Sequence, residues 1–212
     1  MTMKRYLFYL LPLILFFYTG CGKEREALKS NQIKVTPISL FSKEFKDMER
    51  AFFKYSTTVK YEYTGTKKNL MLGWEVWQNG KIKEKFDGLT LYPVSPKGVC
   101  SVCLNDFPPE TQKTGYELFL AVAGLDPQMK NTGSTKGSIL KPELDPDSPD
   151  IITWGKPEEP FVKPDKEEPV IGKLCMGKGA GLLKGSEDFA DTVKRVEWVV
   201  VIKFKFVDKV RY

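Results

Sequence analysis

Residues 59–86 read VKYEYTGTKKNLMLGWEVWQNGKIKEKF, and their alternation decides the fold class. Val59, Tyr61 and Tyr63 alternate with Lys60, Glu62 and Thr64. Gly65 to Asn69 reads as a turn, after which Leu70, Leu72, Trp74 and Val76 again occupy every second position. Period-2 alternation is the mark of half-buried strands. Asn79-Gly80 suits a type I′ hairpin turn, because both of its central residues need positive φ. Ile82, Glu84 and Phe86 continue on the return strand, with Lys81, Lys83 and Lys85 opposite. Three lysines on one face predict exposure and a protected sheet edge.

Outward from this hairpin, Gly115 to Ala123 (GYELFLAVA) is a further predicted strand. Val196 to Val207 is the last long one. Trp198, Val200, Ile202, Phe204 and Phe206 make one face, and Val199, Val201, Lys203 and Lys205 the other. That strand is expected to start buried on both faces and to end buried on one. Between Phe41 and Tyr55, apolar residues Phe45, Met48, Phe52 and Phe53 fit one face of a helix, with Ser42 as N-cap.

Twelve of the 14 prolines lie between Pro93 and Pro169. Proline removes a ladder donor, so this region is not expected to form a regular central sheet. Within it, residues 141–169 hold four lysines and nine acids, a net charge of −5. This acidic excursion is expected either to run beside a basic β domain and satisfy it electrostatically or to form a mobile loop. The expected fold is mainly β: an antiparallel, sandwich-like single domain over residues 33–212. It carries one short N-terminal helix and a long, irregular Pro-rich insertion.

The 212 residues carry 33 Lys plus Arg, 27 Asp plus Glu and no histidine. Without imidazole there is no Ser-His-Asp or Cys-His nucleophile and no His-ligated zinc or haem. The lysines are spread and partly balanced, so no nucleic-acid partner is expected.

Residues 1–20 read MTMKRYLFYLLPLILFFYTG. Lys4 and Arg5 form a basic start, and Tyr6 to Tyr18 an apolar run broken only by Pro12. The run is short for a membrane span of about 20 residues and fits the apolar part of an export signal. Tyr18-Thr19-Gly20-Cys21 follows, and it resembles the lipobox of bacterial lipoproteins. Thr19, Gly20 and Cys21 match that pattern; Tyr18 stands where Leu is usual. The resemblance implies a diacylglyceryl thioether on the Cys21 sulfur and cleavage between Gly20 and Cys21. It implies export and a lipid anchor on the extracytoplasmic face of the membrane. Residues 21–32 then form a lipidated cysteine and a polar tether.

Three further cysteines remain: Cys100, Cys103 and Cys175. Cys100-Ser101-Val102-Cys103 is a C-x-x-C without the helical pattern that follows the redox motif. A disulfide from Cys175 to Cys100 or Cys103 suits an exported protein, and three thiolates plus a carboxylate such as Asp106 would make a zinc set. Buried free thiols are the third reading. Gly172 to Gly179 (GKLCMGKG) falls one residue short of a phosphate-binding P-loop, since Gly179 lacks the hydroxyl that holds Mg²⁺. Asp145-Pro146-Asp147-Ser148-Pro149-Asp150 lacks the glycine of a calcium loop and reads as a solvated acidic turn. Trp77 lies on the face opposite Trp74, either as an exposed binding aromatic or as part of a second apolar layer.

The expected function is therefore a non-enzymatic envelope lipoprotein. It would bind or support an envelope protein, a cell-wall component or a small ligand, with no cofactor. The alternatives are a hydrolase without a sequence signature and an envelope redox protein using Cys100 and Cys103.

Overall fold

The computed structural model describes residues 27–39, 53–108, 114–126, 131–182 and 189–209. Eleven strands among them form two antiparallel sheets. The first contains β1 (Gln32–Ile38), β2 (Tyr55–Tyr63), β5 (Lys97–Asp106), β6 (Gly115–Gly124), β7 (Thr132–Leu140) and β9 (Phe161–Pro164), in the order β7-β6-β5-β2-β1-β9. The second contains β3 (Asn69–Gln78), β4 (Lys81–Leu91), β8 (Ile152–Gly155), β10 (Val170–Met176) and β11 (Trp198–Val207), in the order β4-β3-β11-β10-β8. The fold is mainly β, a two-sheet sandwich.

The alternating residues form the core between the sheets. Val59 and Tyr61 of β2 face Phe204 and Phe206 of β11, and Leu70, Leu72 and Trp74 of β3 close the same layer; all are buried. Tyr63 stacks on Phe206 with ring centroids 3.7 Å apart. Asn79 and Gly80 have φ of 50° and 74°, the left-handed pair that a tight hairpin between β3 and β4 requires. β4 lies at the edge of its sheet, and residues 81–87 are exposed, as the three lysines predicted.

The proline-rich region behaves differently from its expectation. Pro93, Pro96, Pro108 and Pro109 bracket a proline-free stretch, and that stretch is β5, paired on both sides in the middle of its sheet. Prolines here mark the ends of strands rather than exclude them. The acidic insertion is not wholly irregular either. It contributes the four-residue strands β8 and β9, one at the edge of each sheet, where the missing proline donors cost least. Part of the expected charge balance is present. Glu168 pairs with Lys203 and Lys205 of β11, and Asp165 lies 3.2 Å from Lys67.

The helix expected over Phe41–Tyr55 lies almost wholly outside the described residues. Its last described residue, Tyr55, begins β2. The described helix is α1 (Phe189–Arg195), which the apolar pattern did not announce. Asp191 in its first turn and Lys194 and Arg195 in its last complement the helix dipole. Val193 of α1 packs with Cys175, Val199 and Val201, the outward residues of β10 and β11. This explains why β11 starts buried on both faces: α1 covers Val199 and Val201 but not Lys203 and Lys205.

A candidate binding cleft beside the second sheet

The chain crosses between the sheets through residues 156–160, which join β8 to β9. Beside this crossing lies a cleft of about 740 Å³. Its walls are Phe161 of β9, Val170, Gly172 and Lys173 of β10, and Phe189 of α1. Pro157, Glu158, Glu159 and Pro160 form its lip.

Lys173 is the unusual residue. It sits in a strand of otherwise apolar or glycine residues, VIGKLCM, and is 6% exposed. Its register explains the burial. Gly155 and Val201 flank it on neighbouring strands, and its stem runs 3.5 Å from where a Gly155 side chain would begin. The ammonium donates to the Thr192 hydroxyl of α1 at 3.4 Å, and Thr192 is fully buried. A buried lysine must keep hydrogen-bond partners or lose its charge, so the helix and this strand are tied at the cleft wall.

Lys163, Glu167 and Glu168 along the cleft are paired, and Lys156 also lines it. Lys163 holds Glu167 at 2.8 Å, and Glu168 is bound to Lys203 and Lys205. Glu158 and Glu159 stand exposed on the lip and pair with no described residue. The cleft therefore combines aromatic walls, a lysine set into one side, and two carboxylates against the one ammonium of Lys156 on its lip. That combination suits binding of an amine beside an apolar group.

Next to the cleft, the outer face of the second sheet carries a charge ladder. Glu75 is 3% exposed, yet ionised: Lys203 lies 2.8 Å and Lys85 3.4 Å from its carboxylate, and the Trp77 indole donates to it at 3.1 Å. Burial works against that charge, but the Lys203 bond and the neighbouring cations outweigh it and hold the carboxyl below its ordinary range. Glu168 is lowered the same way: burial opposes, and Lys203 and Lys205 prevail. A general acid needs the opposite shift.

Trp77 is not an exposed binding aromatic. Its ring meets Phe189 of α1 edge-on, at 5.6 Å, in the apolar layer beneath the helix.

The three cysteines are free and buried, and each lies in a different layer. Cys100 points into the core between the sheets, and Cys175 lies under α1. Cys103, three residues from Cys100 on β5, is on the opposite, outer face of the first sheet by strand alternation. Three residues of strand span about 10 Å, whereas a disulfide needs Cα atoms within about 7 Å. Neither the expected bridge from Cys175 to Cys100 or Cys103, nor a Cys100–Cys103 bridge, nor a shared metal set fits this placement. Among the described residues no cluster of three metal-ligating groups occurs. Burial pushes the Cys175 thiol up to about 12, although Lys173 opposes it, and burial raises Cys100 further. Thiols held protonated are poor nucleophiles.

The stretch that resembles a P-loop has a different job. Gly172 to Met176 lies in β10, and Gly177-Lys178-Gly179 turns sharply with φ of 76° and 85° at the two glycines. The Lys178 amide donates to the Glu197 carboxylate at 3.2 Å. Ser148 Oγ and the Asp145 amide donate to the same carboxylate. The glycine turn thus holds the protein's own anion, and that anion in turn pins the Asp145–Asp150 loop. Asp145 Oδ1 accepts from the Asp147 amide, so the loop is a hydrogen-bonded turn. Burial raises the Glu197 pKa, but the Ser148 hydroxyl, the Asp145 and Lys178 amides and the Lys178 charge together outweigh it, and the net shift is down. Glu197→Gln should keep the fold and loosen this loop, at a cost of about 2 kcal/mol. Limited proteolysis should then cut within residues 145–150 first; unchanged protection would show that Glu197 does not hold the loop.

The structure and site together define a two-sheet antiparallel sandwich with a lateral cleft of mixed polarity. No family model, curated protein or solved structure matches the chain.

Proposed function

We propose that the chain is a membrane-anchored binding module of the bacterial cell envelope, held by a lipid on Cys21 and non-enzymatic. The anchoring half rests on Tyr18-Thr19-Gly20-Cys21 and the apolar run before it; residues 1–26 lie outside the described part of the structure. The polar stretch after Cys21 ends where β1 begins, so it would serve as the tether. Two acyl chains on one cysteine make a stable anchor, at about 0.8 kcal/mol per buried CH₂.

The observation that carries the binding half is the cleft with Lys173 set in its wall and Glu158 and Glu159 exposed at its mouth. The fitting ligand is an amine-bearing peptide or cell-wall component with an apolar group, received at the envelope surface. The redox alternative needs both C-x-x-C sulfurs within reach of one another, and β5 points them to opposite sides.

The test uses full-length protein purified from membranes. Metabolic labelling with an alkyne fatty acid should mark the wild type and not Cys21→Ala, and the variant should leave the membrane fraction. Labelled Cys21→Ala would sink the anchoring proposal. Binding partners should enrich with the wild type and disappear with Glu158→Lys/Glu159→Lys. An identical set from both would place the binding surface elsewhere.

A further inference from the structure

Each sheet edge carries a device against pairing with foreign strands, except one. β4 carries Lys81, Lys83 and Lys85, and its ladder with β3 is interrupted twice, between Leu72 and Trp74 and between Val76 and Trp77. β8 and β9 are four residues each, and β9 ends in Pro164. Short strands, lysines, prolines and bulges are how edges are blunted. β7 has none of the strong ones. It is nine residues long, has no proline, and pairs with β6 in one unbroken register from Gly115–Leu140 to Ala123–Thr132. Among the described strands nothing pairs with its other side.

Its single charge does not guard it. Lys136 is drawn sideways to Glu117 of β6 at 2.6 Å and lies over the Phe119 ring. Glycines keep the strand straight and close: a Cβ at Gly137 would come 2.5 Å from the Trp74 ring. The ends of β7 are apolar. Leu140, at one end, is 59% exposed. At the other end Asn131 bonds the carbonyls of Pro93 and Tyr92 and receives the Gly124 amide, which brings in Tyr92 and Leu125, 66% and 49% exposed.

We propose that β7 is an interaction edge and that its partner is β7 of a second copy of this chain. The two strands would pair antiparallel about a two-fold axis and join the two six-stranded sheets into one. A two-fold needs a surface complementary to itself. β7 supplies this: unpaired main-chain donors and acceptors along its length, near neutrality at the middle, and apolar groups at both ends. The axis brings Leu140 of one copy to the Tyr92 and Leu125 end of the other. Main-chain bonds of this kind give affinity in strand addition, and flanking side chains give register.

The experiment is light scattering of full-length protein in detergent micelles, corrected for detergent, across a concentration series. The wild type should approach twice the chain mass. Ser134→Lys/Ser138→Lys sets a lysine of each copy opposite one of the other across an axis near Lys136 and should weaken dimerisation at least about tenfold. Ile82→Lys on the β4 edge should leave it unchanged. Oxidation of Ser134→Cys/Ser138→Cys, which places one sulfur of each copy opposite one of the other, should give a cross-linked dimer that the parent chain does not. A wild type that stays monomeric, or a dimer insensitive to Ser134→Lys/Ser138→Lys, would overturn the proposal. So would a monomer that captures an extended peptide at β7, which would assign the edge to a foreign strand. None of these outcomes depends on the cleft or on Cys21.

Discussion

Phe206→Ala should lower the unfolding free energy by about 3–5 kcal/mol, a large part of the roughly 5–15 kcal/mol a domain has. Phe206 lies on β11, is 2% exposed and sits in a nest of rings. Tyr63 stacks on it at 3.7 Å and 7° between planes, Tyr61 meets it edge-on at 5.6 Å, and Phe204 lies 6.1 Å away. Two terms therefore add. The lost ring removes buried apolar area, and the rigid rings around it cannot collapse into the space. β11 is also the middle strand of its sheet, between β3 and β10, and loosening it disturbs both ladders. Phe206→Leu keeps most of the volume and should cost clearly less. Urea denaturation reads the effect: the midpoint should fall while the slope stays constant. A loss under about 1 kcal/mol would mean that the Tyr63–Phe206 stack contributes little to stability.

Glu75→Ala should be the next most damaging change, at about 3 kcal/mol. The cost comes from what is left behind. Lys203, 16% exposed at its side chain, keeps Glu168 but loses the buried carboxylate 2.8 Å away, and the Trp77 indole loses its acceptor. Removing both ends should hurt less than the sum of the parts. A Glu75→Ala/Lys203→Met double variant should thus show a coupling of order 1 kcal/mol or more, and strict additivity would deny the interaction.

The same cluster sets the pH dependence. The Glu75, Glu168 and Glu197 carboxyls titrate lower in the folded chain than in the unfolded one. A depressed folded value means that the unfolded chain binds protons first as pH falls. Stability from these groups is then complete above the unfolded pKa and declines from about pH 5 downwards, until the folded values are passed. In Glu75→Ala this acid-side decline should be shallower, because one of the three linked groups is gone. A decline of unchanged steepness would remove Glu75 from the linkage.

Legibility of this fold tracked how local the signal was. The β3–β4 hairpin was readable because Leu70, Leu72, Trp74 and Val76 repeat with period 2 and Asn79-Gly80 accepts the turn. The edge position of β4 was readable from three lysines in five residues. β7 was not: TGSTKGSIL has neither alternation nor bulk, and it is a strand because β6 offers nine paired positions. β10 was hidden inside a glycine-rich stretch that resembles a phosphate loop. Its strand ends at Met176, where the turn that holds Glu197 begins.

The cleft was the least readable feature. Lys173 among apolar neighbours was a visible oddity, but its burial depends on α1, whose Thr192 is 19 residues further on. Phe161 and Phe189 line one cavity only because the fold brings β9 and α1 to the same cleft. Trp77 likewise becomes an inner residue through Phe189.

By itself the sequence determined the class of fold, the strongest hairpin, the exposed edge beside it, and the N-terminal pattern that resembles a lipobox. Each is written within a few consecutive residues, because strand alternation and turn conformation are properties of the local backbone. Only the tertiary structure decided that three cysteines lie in three layers, that an acidic insertion folds back onto Lys203 and Lys205, and that among the described strands one long, regular edge is left without bulge or proline. These depend on which distant strands become neighbours and on what covers each outer face. Such choices come from burial and charge pairing across the whole sandwich, and no window of the chain contains both partners.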